Sequence, residues 1–488
     1  MNTENNHGDF EQSSVAVDQK RGFWSMFVIM MGFTFFSASM WVGVKLGYGL
    51  TFSDYVWAVM AGNLILGVYC SLLAWQASRT GLSVHLLSRY AFGTYGSFIP
   101  SAVLAFTQIG WFGVGVAMFS IPATIFFQGV PSLAGTWLMS GPTWDVFGGA
   151  GLPVRMLWFL TIVSGLLMTS SAYFGIRALH IISIIAVPAI AVFGLWSAIQ
   201  ALFFDSPDFI LANNEALANQ LAASGETLRN GWQAMLSHVP ATNADGSSAA
   251  IGMVLAISMG IGSFISGGTC TPDFTRFSKN SRTAITTTAL AFFIGNSLMF
   301  FFGAAAAMVY GKSDISEVLV IQGLLVPAII ILGLNIWTTN DNALYTSGLG
   351  LANITRLPKR YIVLFNGVLG TVAAVWLYDN FCGWLNILNT AIPPCGAILI
   401  TDYFLVNKAT YVAMEEKKFV PVSCPAVFAW AVGFLVALAG FSYIGKDCNA
   451  CAFLRHGIPA INAMIATAIV YLAAKLACPC RCKCGCAK

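Results

Sequence analysis

In the run LNIWTTNDNALY (334–345), Asn335, Thr338, Thr339 and Asn342 stand at i, i+3, i+4 and i+7, so a helix carries them as one polar stripe. These side chains offer hydroxyl and amide oxygens without formal charge, a donor set that suits a hard monovalent cation such as sodium. Asp341 falls on a different face from Thr339 and Asn342, and a carboxylate among apolar residues is a candidate for ion or proton coupling. A second pair sits in AFTQIGWFGVG (105–115), where Gln108 and Trp111 lie one turn apart. Together they present an amide, which both donates and accepts, beside a flat aromatic face. The five histidines (His7, His85, His180, His238, His456) are dispersed, and no paired carboxylates occur within the apolar stretches. No catalytic constellation is present, so an enzyme is not expected. The polar residues gather near one level instead of forming a continuous lining, which argues against a channel.

The elements that position these residues must be membrane helices. The chain has 488 residues, 57% hydrophobic and 9% charged, against roughly 25% charge in an ordinary soluble domain. Apolar runs of about 20 residues recur along its length, each sufficient to cross a hydrocarbon core as a helix. Twelve such spans are expected, at 23–47, 54–78, 99–128, 153–173, 177–204, 250–272, 284–309, 324–350, 361–378, 381–405, 423–446 and 457–477. Residues 1–21 are polar and lack a cleavable-signal pattern, so they form a disordered cytoplasmic tail and the first span is retained as an anchor. Alternating the loops places 18 of the 24 Lys and Arg on the side of the N-terminus, which puts both termini in the cytoplasm.

Two spans should be broken. GFTFFSASMW (32–41) in the first and GIGSFISGGT (260–269) in the sixth are apolar runs interrupted by Gly and Ser around Phe. Glycine weakens a helix by about 1 kcal/mol and permits close backbone approach. Their matching positions predict two inverted five-span repeats, 22–204 and 250–407, whose first helices unwind at mid-membrane. Backbone groups exposed there are tolerable only if they face a cavity, an ion or a ligand. Residues 205–249 and 129–152 read as outer loops, the former with a short surface helix. Residues 408–477 hold the eleventh and twelfth spans, and 478–488 form a cysteine-rich cytoplasmic tail. That tail, CPCRCKCGC (478–486), alternates at period two, unlike the paired CxxC spacing of zinc sites, and reads as accessory.

The segments GFTFFSASMW, TQIGWFGVGVAMF, GSFISGGT followed by DFTRF, FFIGNSLMFFFGAAAA and LGLNIWTTNDNALYTSGLGLANIT resemble the nucleobase–cation symporter family, from about residue 20 to 405. The resemblance implies a leucine-transporter-like fold, all-α, with ten core helices in two inverted repeats and two peripheral helices. It implies that a planar base stacks between Trp111 and Phe264 and that Gln108 and Asn335 read its edge, helped by Ser263 and Ser266. It also implies a sodium site joining carbonyls at Gly32 and Phe36 to Asn335, Thr338 and Thr339, with Asn335 serving both sites. The expected activity is uptake of cytosine by sodium symport with alternating access, by a monomer in the bacterial inner membrane. The alternatives are another neutral ring (uracil, a hydantoin, a pyrimidine vitamin precursor) or proton coupling through Asp341. An uncharged pocket suffices, because a neutral heterocycle offers two π faces and an edge of donors and acceptors. Three features depart from the family pattern: the long outer loops, the cysteine tail, and Lys45, which either snorkels to the interface or faces the entrance and recruits Asp54.

Overall fold

The computed structural model describes residues 13–144, 151–174, 176–240, 248–443 and 455–477, so 1–12 of the expected tail 1–21 and all of 478–488 lie outside them. Residues 13–21 are not a loose tail, since Val15 N–H donates to Gly81 O at 3.0 Å and Arg21 N–H to Phe277 O at 2.6 Å. Every expected span falls on helix. The first is α1 (Phe23–Thr34) and α2 (Ser37–Gly49), followed by α3 (Phe52–Thr80), a shorter helix α4 (Val84–Phe92), α5 (Phe98–Gln128), α6 (Val154–Phe174) and α7 (Ile176–Ile199). The second half begins after three short helices, α8 (Pro207–Asn213), α9 (Glu215–Ser224) and α10 (Gly231–Leu236). It holds α11 (Met253–Thr269), α12 (Thr271–Thr275), α13 (Ser281–Leu290), α14 (Ser297–Tyr310), the short α15 (Ile315–Ile321), α16 (Leu325–Thr355), α17 (Lys359–Asp379), α18 (Phe381–Ala391) and α19 (Pro393–Thr401). Peripheral α20 (Cys424–Gly440) and α21 (Pro459–Ala477) complete it.

Among the described residues eight helices are long and apolar enough to cross a membrane, and the bent pair α1–α2 makes a ninth. Shorter apolar α11 and α20 and the 31-residue α16, which carries the polar stripe, account for the other expected spans. Among the described residues the segment 205–249 holds three short helices instead of one, each opened by a side-chain cap: Ser206 for α8, Asn214 for α9 and Asn230 for α10.

The first expected break is present. The axes of α1 and α2 meet at 51°, and Phe36 between them is extended (φ −113°, ψ 125°). The second is not where the sequence places it, because α11 runs unbroken through Gly260–Thr269. Its hydroxyls fold back on their own helix, Ser263 Oγ donating to Gly260 O at 2.7 Å and Thr269 Oγ1 to Ile265 O at 2.7 Å. Its glycines serve close packing: a Cβ at Gly262 would stand 2.7 Å from Asn389 Nδ2, and one at Gly268 2.7 Å from Cys70 Sγ. The interruption comes at Cys270, two residues before Pro272, whose missing N–H ends the regular ladder.

Small residues set the core spacing. A Cβ at Gly43 of α2 would overlap Phe300 O of α14, and one at Gly303 of α14 would overlap Met40 O. Gly43→Ala and Gly303→Ala are each expected to cost about 1–3 kcal/mol by overpacking. Thermal unfolding of purified protein checks this against Gly383→Ala, where the added methyl meets open space. α5 lies at the centre, with Gly113 against Gly370 O of α17 at 2.6 Å from the would-be Cβ, and Gly115 against Asn340 of α16. A buried carboxylate at the α19 end, Asp402, is occupied by the fold: it accepts from Tyr471 Oη and Tyr411 Oη, both at 2.6 Å, and from Asn407 Nδ2 at 3.0 Å.

Candidate functional site

The α1–α2 break disrupts the backbone ladder, and the polar stripe of α16 repairs it. Phe36 N–H, which a continuous helix would return to Gly32 O, goes to Thr34 O at 2.9 Å. Ser37 N–H donates instead to Asn335 Oδ1 at 2.9 Å, and Asn335 Nδ2 donates to Phe35 O at 2.6 Å. Asn335 is fully buried, so its amide replaces the backbone partners the bend removes. The base-edge role expected of Asn335 is not what this arrangement provides: both ends of its amide hold the break, and it does not line the cavity below. The carbonyls of Gly32 and Phe33 lose their regular donors at the same place.

The threonines follow on the same stripe. Thr338 Oγ1 donates to Asn335 O at 2.8 Å, and Thr339 Oγ1 to Asn335 O at 2.9 Å. A hydroxyl whose hydrogen is turned back on its own helix keeps lone pairs for another partner. Neutral oxygens of a freed helix end and two threonines form a set that fits a hard monovalent cation. Among the described residues no group of three or more His, Cys, Asp or Glu offers a softer or more charged site.

Beside the break is a small cavity of about 40 Å³, room for a few water molecules. Gln108, Trp111, Ser263 and Phe264 line it as expected, together with Phe36 and Thr339. The Phe36 ring packs edge-on against Trp111 (5.4 Å between centroids) and Phe264 (6.4 Å). Phe36 thus lines the cavity with its side chain, whereas the sequence suggested a role only for its backbone. Ser266 lies behind the wall, accepting from Gln108 Nε2 at 2.9 Å. The sequence reading missed Phe33, Gly267, Cys270, Phe274, Asn340, Ala343 and Thr346 as lining residues. Thr346 was legible in principle, since it continues the stripe one turn beyond Asn342. A second polar junction, also missed, ties α2 to α3 and to the turn before α14. Ser39 Oγ donates to Asn296 Oδ1 at 2.7 Å and Asn296 Nδ2 to Asn63 Oδ1 at 2.8 Å.

Asp341 faces away from the cavity. Its Oδ1 accepts from Ser171 Oγ of α6 at 2.7 Å, and Trp337 Nε1 donates to the same serine at 2.6 Å. Lys45 lies on the wall of a second cavity, of about 270 Å³, with Asp314, Glu317 and Asp379. Asp54 is no partner for it, being bonded to Thr51 at the start of α3. Burial raises the Glu317 carboxyl above its ordinary value, against the opposing pull of Lys312 and then Lys45. Trp41 Nε1 donates to Tyr378 Oη and Tyr378 Oη to Asp314 Oδ2, both at 2.9 Å. Phe381 lines this second cavity and packs against Trp111 at 6.1 Å, so its ring stands between the two spaces.

Apolar helices around a small buried cavity at a bent span make this a multi-pass membrane transporter. Residues 15–203 and 196–454 match the family described as permease for cytosine/purines, uracil, thiamine, allantoin. The cytosine permease of Escherichia coli (strain K12) is 42% identical over 472 residues, covering 97% of this chain and 94% of that one. Mhp1, a nucleobase-cation-symport-1 family transporter in a closed conformation with bromovinylhydantoin bound, superposes with a TM-score of 0.67. Its identity is 18%, over 96% of this chain and 94% of Mhp1. A Na+-coupled sialic acid symporter in a substrate-bound outward-open state gives a TM-score of 0.59 at 13% identity, over 93% and 90% of the two chains. The chain therefore belongs to the cytosine/purine permease family, the nucleobase–cation symporters that its motifs resemble. Its relatives are permeases, not enzymes, and the helical membrane fold expected from the sequence is the one it shares with Mhp1. Its departure from all-α is a short antiparallel pairing of Thr143–Trp144 with Leu152–Pro153.

Proposed function

We propose that this protein imports cytosine into a bacterial cell by sodium symport, from an inner membrane in which both termini face the cytoplasm. The observation that carries the reading is that cavity and break share residues. Phe36 and Thr339 line the cavity, while Phe36 sits in the break and Thr339 on the stripe whose Asn335 closes it. A base stacked against Trp111 and Phe264 and read by Gln108, with Ser263 and the Ser266 behind it, would lie directly beside oxygens of Gly32, Phe36, Asn335, Thr338 and Thr339 that suit sodium. Ordering the break for one ligand orders the wall for the other, and such coupling is reciprocal. The cavity's lining carries no formal charge, which disfavours a carboxylated or phosphorylated substrate. Alternating access would come from rocking of the repeat at 22–204 against that at 250–407, by a monomer. One sodium ion moving inward contributes about 2.3 kcal/mol per 100 mV, roughly fifty-fold accumulation.

The test is binding and uptake of labelled cytosine by purified, reconstituted protein with sodium varied. Uptake should require sodium, and unlabelled cytosine should compete better than uracil. Equal displacement by uracil would make the named substrate wrong. Uptake that persists without sodium and collapses with a proton uncoupler would move the coupling to Asp341. Thr338→Ala and Thr339→Ala should each raise the half-saturating sodium concentration by roughly tenfold, as expected for loss of one oxygen contact of about 1 kcal/mol or more. Cytosine affinity at saturating sodium should change much less.

A further inference from the structure

An amide offers a donor at one end and an acceptor at the other, so its orientation decides what a ligand meets. Gln108 Nε2 lies 2.9 Å from Ser266 Oγ and 3.9 Å from Cys270 Sγ. Ser266 Oγ lies 2.8 Å from Thr107 Oγ1, and Thr107 Oγ1 lies 2.9 Å from Leu104 O. The last of these is a carbonyl and only accepts. One arrangement of hydrogens turns all three contacts into bonds: Thr107 donates to Leu104 O, Ser266 to Thr107, and Gln108 to Ser266. Turning the amide over would make Ser266 donate to the Gln108 carbonyl, so that Thr107 either donates to Ser266 and gives up Leu104 O or stays on Leu104 O and leaves its contact with Ser266 without a hydrogen. All three side chains are buried, with exposures of 5%, 6% and 0% for Thr107, Gln108 and Ser266, so water does not relieve the loss.

We infer that Thr107 is a positioning residue for substrate choice. Acting through Ser266, it holds the Gln108 amide with Oε1 as the group left for the cavity, so the site takes rings that present a hydrogen-bond donor there. An exocyclic amino group meets that acceptor, whereas a ring carbonyl at the same position is repelled by it. The inference rests on the proposed nucleobase reading and narrows it to amino-bearing pyrimidines over their dioxo counterparts. Nothing in the type of Thr107 announces this, since threonines in helices commonly bond the carbonyl three or four residues back.

The experiment measures cytosine and uracil affinities by competition with purified full-length protein in saturating sodium. Thr107→Val removes the hydroxyl at nearly constant volume and unlocks the relay. The ratio of uracil to cytosine dissociation constants should fall by roughly tenfold or more, the size of one directional contact to a base edge. Thr107→Ser restores a hydroxyl and should keep the wild-type ratio. Ser266→Ala cuts the relay one bond nearer the amide and should lower the ratio likewise, which keeps the test decisive if the valine variant fails to fold. A ratio unchanged in these variants, or both affinities weakened in proportion, overturns the inference while leaving the transport reading standing. Wild-type protein that binds neither base overturns the reading and the inference together.

Discussion

Asn335→Ala is expected to abolish sodium-dependent uptake and to lower stability more than any other single change on the α16 stripe. Both ends of the amide hold backbone across the bend: Nδ2 donates to Phe35 O at 2.6 Å, and Oδ1 accepts from Ser37 N–H at 2.9 Å. Removing it orphans a buried acceptor and a buried donor, at about 1–3 kcal/mol each, so roughly 2–6 kcal/mol in all. The chain has poor means of relief, because straightening the 51° bend would tear α2 from α14, where Gly43 and Gly303 bring the two backbones into contact. Asn335→Asp separates hydrogen-bond chemistry from size. The carboxylate still accepts from Ser37 N but sets a second oxygen against Phe35 O, so it should be nearly as damaging as alanine although it is almost isosteric. Thermal unfolding of purified protein and cytosine uptake check both variants. An alanine variant that melts and transports like the wild type would mean that the break stands without its clamp.

The clamp also shows what was legible in the sequence and what was not. Helical periodicity alone placed Asn335, Thr338, Thr339 and Asn342 on one stripe, and a run of Gly, Ser and Phe marked the first break. Both are local properties, and both are present. The partner of Asn335 is 300 residues away in the chain, so periodicity could not tell a group that reads a ligand from one that holds a backbone. The sixth span fails for a related reason. Glycine is equally suited to unwinding and to close packing, and contacts with Asn389 and Cys70 decide which one Gly262 and Gly268 serve. Cavity residues on the α5 and α11 walls were legible through the family motifs, whereas the Phe36 ring was not, since its position at a break drew attention to its backbone. Asn63, Asn296 and Thr107 gave no signal beyond being polar in an apolar span, and each acquires meaning only from a side chain on another helix.

Trp111→Ala should remove high-affinity cytosine binding while leaving the response to sodium largely in place. Trp111 is buried, lines the cavity and meets Phe36 and Phe381 edge-on at 5.4 and 6.1 Å. Loss of one aromatic wall costs about 1–3 kcal/mol of stacking, roughly 5- to 150-fold in affinity. The space left behind adds to this, since the Phe36 and Phe381 rings that now rest on the indole would collapse toward it. A general loss of stability is also expected, as truncating a buried Trp costs about 3–5 kcal/mol, so affinity must be read on protein still folded. Ligand-induced shifts in melting temperature provide that reading, because a ligand stabilises only the state it binds. Sodium should still raise the melting temperature of the variant, since Asn335, Thr338 and Thr339 make no hydrogen bond to Trp111. Added cytosine should raise it no further. Trp111→Phe keeps a smaller flat face and should fall between alanine and wild type. Wild-type cytosine affinity in the alanine variant would show that the base does not stack on this ring, and the cavity between α5 and α11 would then lose its claim to be the place where substrate is held.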